Sequence, residues 1–223
     1  MHEVQRSVLR RLSARNGLRF SEIKPRGVES NRFMYHLKAL IDASLVRKNG
    51  LLYKLTAKGK GYIDRLSDVD FKERIQPKIV TLIVCKNEKG QYLLYKRGKQ
   101  PFLDKIGFPY GKIHMSERIE DAALRELREK TGLTAQLTYR GDVYITVHDE
   151  EELLTQMLAH VFSGRKPKGI PTNNSSIGKC FWGEPSKVSI GEEIPGFHQV
   201  FRLVEGTVSR TFFKEYFLDV HED

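Results

Sequence analysis

Cysteine is nearly absent from this chain: there are two, Cys85 and Cys180, set in the apolar stretches "LIVCKN" and "GKCFWG". Two such thiols make neither a disulfide framework nor a metal pattern, so a reducing cytoplasm is the expected compartment. Long apolar runs are missing as well, which excludes a membrane-spanning helix and leaves no membrane partner to expect. The opening "MHEVQRSVLRRLSARNG" is charged and amphipathic, unlike a secretory signal. Seven histidines show no H-x-H or H-E-x-x-H spacing, so a zinc site is not expected. The single tryptophan, Trp182 in "CFWGEP", suits a core or rim position as well as a base-stacking one.

What the chain has is positive charge, and it is unevenly placed. Residues 1–66 hold 15 Lys+Arg against 5 Asp+Glu, a balance of 15 − 5 = +10. Residues 67–223 hold 23 of each, so the whole net charge of +10 sits in the first third. A basic surface confined to one small unit points to a polyanion, most simply double-stranded DNA.

Within that third, "EVQRSVLRRLSAR" places Val4, Val8, Leu9 and Leu12 on one helical stripe. "FSEIKP" reads as a short second helix with Ser21 as its cap. In "VESNRFMYHLKALIDASLV", Phe33, Leu37, Leu40 and Ile41 should face inward. That leaves Asn31, Arg32, Tyr35 and Lys38 outward, where a helix lying in a major groove would reach bases and phosphates. Next come "LVRK" and "LLYKLT" around Asn49-Gly50, a hairpin signal because a type I′ turn needs positive φ at both central residues. Arg47 and Lys48 charge this hairpin, and Thr56 is placed to cap a closing helix. The stretch "YHLKALIDASLVRKNGLLYKLTAKG" resembles winged-helix transcriptional repressors. That resemblance implies a DNA reader built from Asn31, Arg32, Tyr35, Lys38, Arg47 and Lys48. A winged helix serving only protein contacts is the competing reading. The polar "SDVDFKERIQP" reads as a linker.

The other two thirds alternate differently. "KIVTLIVCKN", "GQYLLYKR", "AQLTYRGDVYITVH" and "TQMLAHVFSG" are β-prone runs bounded by turn residues. One helix interrupts them from about Arg118 to Thr131, closed by Gly132 with Leu133 folding back. A second helix is expected near 205–216. On the first helix, Glu126 and Glu129 are three apart and share a face. Such a carboxylate pair suits a hard cation such as Mg²⁺. Arg125 lies beside that face, Glu117 is placed to hold it, and Gly111 sits where backbone must approach closely.

Gly111, five residues, Glu117, seven residues and then "RELREKTGL" resemble the Nudix box, G-x5-E-x7-R-E-U-x-E-E-x-G-U with U aliphatic. A pattern with so many fixed spacings is specific. Nudix enzymes hydrolyse nucleoside diphosphates linked to another moiety. The resemblance implies that Glu126 and Glu129 bind Mg²⁺ or Mn²⁺ and that Arg125 and Glu117 support them. It also implies a metal contact from the Tyr110 carbonyl and a phosphate contact from Arg97. Three positions depart from the pattern. Tyr110 replaces a glycine, Ser116 replaces a glycine, and Lys130 stands where the family has a metal-binding Glu. An ammonium there repels a cation and is able to hold a phosphate directly. Glu192 and Glu193 in "IGEEIPG" fall where the family often carries its general base; "HDEEE" at 148–152 reads as a solvated hairpin loop, with a catalytic base or extra ligand as the alternative, and "SGRKPKG" as a basic loop, either simply exposed or a second phosphate contact.

The expectation is therefore an α+β chain, with a winged helix-turn-helix at 1–70, a linker at 71–77 and a Nudix-type mixed-sheet α/β/α sandwich at 78–223. Its expected function is that of a homodimeric DNA-binding regulator whose Nudix-like domain binds, and in one version hydrolyses, a nucleoside diphosphate derivative such as ADP-ribose. Regulators known to join these modules usually place the Nudix domain first; here the order is reversed. The alternatives are an active Mg²⁺-dependent Nudix pyrophosphohydrolase with an accessory winged helix, and a non-catalytic scaffold.

Overall fold

The computed structural model describes residues 1–171, 178–206 and 210–220. The chain divides into two compact units, Met1–Gln76 and Pro77–Asp223.

The first unit runs α1 (Glu3–Ser13), β1 (Leu18–Arg19), α2 (Phe20–Ile23), α3 (Ser30–Asp42), β2 (Val46–Asn49), β3 (Leu52–Leu55) and α4 (Ala57–Ile63). The α1 stripe is buried as its period requires, with Val8 and Leu9 fully enclosed. Strands order β1-β3-β2, all antiparallel. Thr56 caps α4 by accepting from the Gly59 amide at 2.9 Å.

Four local expectations change. Arg19, not Ser21, precedes α2, and Ser21 lies inside the helix. On α3, Ile41 is turned out and His36 is buried in the inward stripe, stacked on His2 with ring centroids 4.0 Å apart. The His36 ring also meets Tyr35 edge-on, with centroids 5.3 Å apart. The hairpin turn is Gly50-Leu51, one residue later than expected, because Asn49 pairs with Leu52; only Gly50 has positive φ, at 60°. Finally, the expected linker is partly core: Phe71 is buried among Val4, Leu9 and Leu66, and Leu66 bridges to Glu73, so the chain packs with the first unit up to Gln76.

The second unit is one mixed sheet with a helix on each face. Its strands are β4 (Lys78–Lys86), β5 (Tyr92–Arg97), β6 (Ile106–Gly107), β7 (Tyr110–Lys112), β8 (Leu137–Asp149), β9 (Glu152–Arg165), β10 (Gly178–Gly183) and β11 (Phe212–Asp219). The main path is β10-β5-β4-β9-β8-β11, with β6 on β5 and β7 on β4. The β4–β9 and β8–β11 pairs are parallel and the rest antiparallel. Strand β4 is apolar on both sides because both faces are covered. Val80, Leu82 and Val84 face Phe197, Val200 and Val204 of α6 (Phe197–Gly206), while Ile83 and Cys85 face Ala123 and Leu127 of α5 (Ile119–Thr131).

The helix expected at 205–216 is corrected. The helix lies earlier, at Phe197–Gly206, and 212–219 is the edge strand β11; residues 207–209 fall outside the described residues. Along β11, Phe213 and Phe217 are exposed, while Tyr216 and Leu218 pack on the core. No helix among the described residues is long and apolar enough to cross a membrane.

Candidate functional site

Helix α5 is set by its ends. Gly132 takes φ 72° and donates to the Arg128 carbonyl at 2.8 Å, closing the helix with a left-handed cap. Ala122, Ala123 and Leu127 bury one side against the sheet. The opposite edge meets β7, whose Gly111 pairs with Thr81 of β4. A Cβ on Gly111 would stand 1.8 Å from Cδ of Glu126. The absent side chain is therefore what lets the Glu126 carboxylate lie on the strand backbone, 6 % exposed.

Arg125 organises the acidic groups. Its Nε and Nη2 donate to the two oxygens of Glu117 at 2.7 and 2.9 Å, a bidentate pair. Nη1 donates to Glu126 at 2.7 Å and to Glu129 at 3.3 Å, and Nη2 also reaches the Lys112 carbonyl at 3.0 Å. The His114 amide adds a bond to Glu117 at 2.9 Å. These hydrogen bonds, Arg125 first, pull the Glu117 carboxyl down to about 2. The same contacts raise Arg125 above its ordinary range. Glu129 stays half in solvent.

Lys130 occupies the third acidic position and turns inward. Its Nζ donates to the carbonyl of Tyr110 and lies 3.5 Å from Oε2 of Glu126. It stands 5.2 and 5.7 Å from the ring centroids of Tyr110 and Tyr95, so two π-faces add to its anchorage. Burial pulls this ammonium below the usual lysine range; Glu126 opposes that, and Arg97 and Lys99 reinforce it. Arg97 in turn donates to the Tyr110 hydroxyl and to the Lys99 and Gln100 carbonyls, and its guanidinium sits 5.7 Å from the Tyr110 ring. Lys78, lowered mainly by burial, also feels Lys112 and Arg97. Positive side chains thus gather around the Tyr110 backbone, a field that favours an anion.

Of the residues expected at this site, Tyr110, Gly111, Glu117, Arg125, Glu126, Glu129 and Lys130 do come together, with Arg97 attached through Tyr110. Tyr95, Lys99 and Lys112 join them as chain neighbours of Arg97 and Gly111, and Lys78 joins through the β4–β7 pairing; sequence spacing singles out none of the four. Glu192 and Glu193 lie elsewhere on the unit, beside β6: the Ile106 amide donates to the Glu192 carbonyl at 2.8 Å. Oε2 of Glu193 is buried with no hydrogen-bond partner among the described residues, in the wall of a cavity of about 240 Å³ that Lys105, His198 and Arg202 also line. An apolar cavity of about 30 Å³ runs from Pro195 and Gly196, which it shares with the larger one, to Tyr110. In the first unit, Asn31, Arg32, Tyr35 and Lys38 are all exposed on α3, Tyr35 at 72 %, and Arg47 and Lys48 are exposed on β2.

Glu126 and Glu129 are the carboxylates that would hold a divalent cation such as Mg²⁺ here, with Lys130 crowding them. Among the described residues no three His, Cys, Asp or Glu side chains gather to hold a metal ion. Glu117 is taken up by Arg125, which leaves Glu126 and Glu129, and the Tyr110 carbonyl, expected as a metal contact, already accepts from the Lys130 ammonium. A cation brought there would face a fixed positive charge across a few ångströms.

The family model described as NUDIX domain matches residues 76–202, more than half of the chain. A putative 8-oxo-dGTP diphosphatase of Bacillus subtilis (strain 168) is 39% identical over 62 residues, 28% of this chain and 40% of that protein. An 8-oxo-dGTP diphosphatase of Escherichia coli (strain K12) is 37% identical over 54 residues, 24% of this chain and 42% of that protein. The chain therefore spans under half the length of these curated relatives. Among solved structures, the NUDIX domain of Shewanella oneidensis NrtR, complexed with ADP ribose, superposes with TM-score 0.52 at 17% identity, covering 70% of this chain and 100% of that one. The MutT protein from Bacillus halodurans gives 0.51 at 21% identity, covering 63% and 89%. At such identities the likeness is one of fold alone.

Proposed function

The chain belongs to the NUDIX domain family, and on that premise we propose that it is a DNA-binding transcriptional regulator whose Nudix domain binds a nucleoside diphosphate derivative, such as ADP-ribose, without a divalent cation. The observation that carries this reading is the Lys130 ammonium on the Tyr110 carbonyl beside Glu126. One positive charge is built into the chain where the family's pattern calls for a carboxylate, and it needs no metal to meet a diphosphate. Lys130 holds the phosphates as a point charge, and Arg97, Lys99 and Lys112 add to the field. Arg125, locked by Glu117, keeps Glu126 in place. The ADP ribose in the NrtR domain supports the choice of ligand class.

The regulator half rests on the first unit. Its order of three helices, a two-stranded hairpin and a closing helix supports a winged helix-turn-helix, with α3 as the reading helix. Among the described residues, not one of the 15 cations in residues 1–66 forms an ion pair within 4 Å, so their charge is available to a duplex. Dimerisation would match paired half-sites. The second reading is a Mg²⁺- or Mn²⁺-dependent diphosphatase; it is favoured by the intact Glu117–Arg125–Glu126 frame and by the two curated relatives.

The test uses the full chain, a duplex enriched from a random pool, and ADP-ribose in EDTA. The regulator reading expects ADP-ribose to change the Kd for the duplex at least about threefold with no metal present, reciprocal coupling being required by linkage. Failure to enrich any duplex, or turnover of ADP-ribose in Mg²⁺ with no effect on DNA, overturns it in favour of the enzyme.

A further inference from the structure

The first unit carries a second concave surface that the α3 reading does not use. A cleft of about 500 Å³ opens between the turn after α1, the outer face of the hairpin and α4. Arg15, Arg47, Lys54 and Lys60 line it, each from a different element, and no acidic residue is among the lining. No residue of α3 reaches it. Arg15, Arg47 and Lys60 are exposed and Lys54 is half-buried, and none of the four makes an ion pair or a side-chain hydrogen bond among the described residues.

Two details make this more than a basic surface. Arg47 and Lys54 are directly opposed across β2 and β3. Like charges in that position repel and weaken a hairpin unless something negative lies between them. Gly17, at φ 119°, supports the same arrangement: a Cβ there would meet Cε and Cγ of Lys54 at 3.0 and 3.1 Å. The Lys54 stem therefore runs along bare backbone and is steered toward the cleft. Leu12, Leu55 and Ile63 form an apolar floor that lowers the local dielectric and concentrates the field of the four cations above it.

We propose that this cleft is a phosphate-binding site, separate from the α3 surface, which takes consecutive phosphate groups. Four converging cations with no internal counter-charge match a chain of phosphates better than a single carboxylate, since each phosphate adds a negative charge within reach of a different side chain. Two sources present that chemistry, a free polyphosphate and the backbone of a duplex.

The experiment compares the full chain with the double variant Arg15→Gln, Lys60→Gln. Neither residue belongs to α3 or the hairpin, and neither side chain bonds to the rest of the described chain, so the fold is retained. Calorimetry with tripolyphosphate reads the first source; duplex anisotropy at about 50 to 200 mM salt reads the second. A free-phosphate site predicts that the variant loses at least about fivefold in tripolyphosphate affinity with an unchanged duplex salt slope. A backbone site predicts that the slope of log Kobs against log salt becomes shallower by about 1 to 2, close to 0.9 for each phosphate that is no longer neutralised. Either result supports the cleft. Equal tripolyphosphate binding together with an equal salt slope overturns it. The Arg32→Ala variant separates this site from the reading helix, because it alters duplex binding and leaves tripolyphosphate binding untouched. If the chain binds no duplex at all, the tripolyphosphate arm alone decides.

Discussion

Nζ of Lys130 lies 3.5 Å from Oε2 of Glu126, four residues earlier on the same helix, and both groups meet at the backbone of Tyr110 and Gly111. A carboxylate that would face a metal in the family's pattern here faces an ammonium. Removing one partner of such an enclosed pair leaves the other uncompensated. Lys130→Met is therefore expected to weaken metal-free binding of ADP-ribose about tenfold, or about 1.4 kcal/mol. Titration calorimetry in EDTA measures it, and an unchanged Kd would detach the ligand from Lys130.

Lys130→Glu restores the acidic run at 126, 129 and 130. The variant should acquire Mg²⁺-dependent cleavage of ADP-ribose at least about tenfold above the parent chain, while its metal-free binding disappears. Chromatography of the released AMP gives the rate. Equal turnover by both proteins would mean that position 130 does not govern metal use.

Gly111→Ala drives a methyl group into the Glu126 carboxylate, 1.8 Å from Cδ. Displacing that group disturbs Arg125 and Lys130 together. Overpacking of this kind costs about 1–3 kcal/mol, which lowers Tm by roughly 2–4 °C for each kcal/mol. Thermal melts should show that drop alongside weakened ligand binding. A stable variant that still binds would show that the close approach is incidental.

Glu117 sets a pH signature. Its folded carboxyl is held at about 2, below its unfolded range, so the stability it contributes is complete above the unfolded value and drains away as pH falls toward 2. Glu117→Gln should melt lower than the parent at about pH 6, and the gap should narrow between about pH 4.5 and 2. Parallel melting curves across that window would contradict the Arg125–Glu117 assignment.

For the first unit, Arg32→Ala and Lys38→Ala should each weaken duplex binding and reduce the salt slope by about 1. Superimposable isotherms would remove α3 from the interface.

Much of this arrangement is legible in residue spacing. The α5 ridge and the Gly132 cap follow from local periodicity, because helix geometry converts sequence separation into distance; Gly111 and Glu117 lie outside that helix and are legible only through the resemblance of the whole spacing pattern. The β-prone run that becomes β4 is also visible, though spacing does not show that both of its faces are covered. The rest depends on long-range pairing. Spacing places Lys130 on the ridge but not on the Tyr110 carbonyl, which β4–β7 pairing delivers from 20 residues away. Within 205–216 spacing does not separate helix from strand; pairing with β8 makes 212–219 a strand. Phe71 is hidden inside a polar stretch, where one large ring anchors what reads as linker.

On the proposed reading the Lys130 ammonium, in place of a metal, meets the diphosphate. That reading is tested most directly by titrating the full chain with ADP-ribose, once in EDTA and once in Mg²⁺, and identifying the ligand recovered from each cell. The expected result is Kd values within about twofold of each other and intact ADP-ribose in both. Binding that appears only with Mg²⁺, or recovery of AMP in place of the ligand, would contradict it.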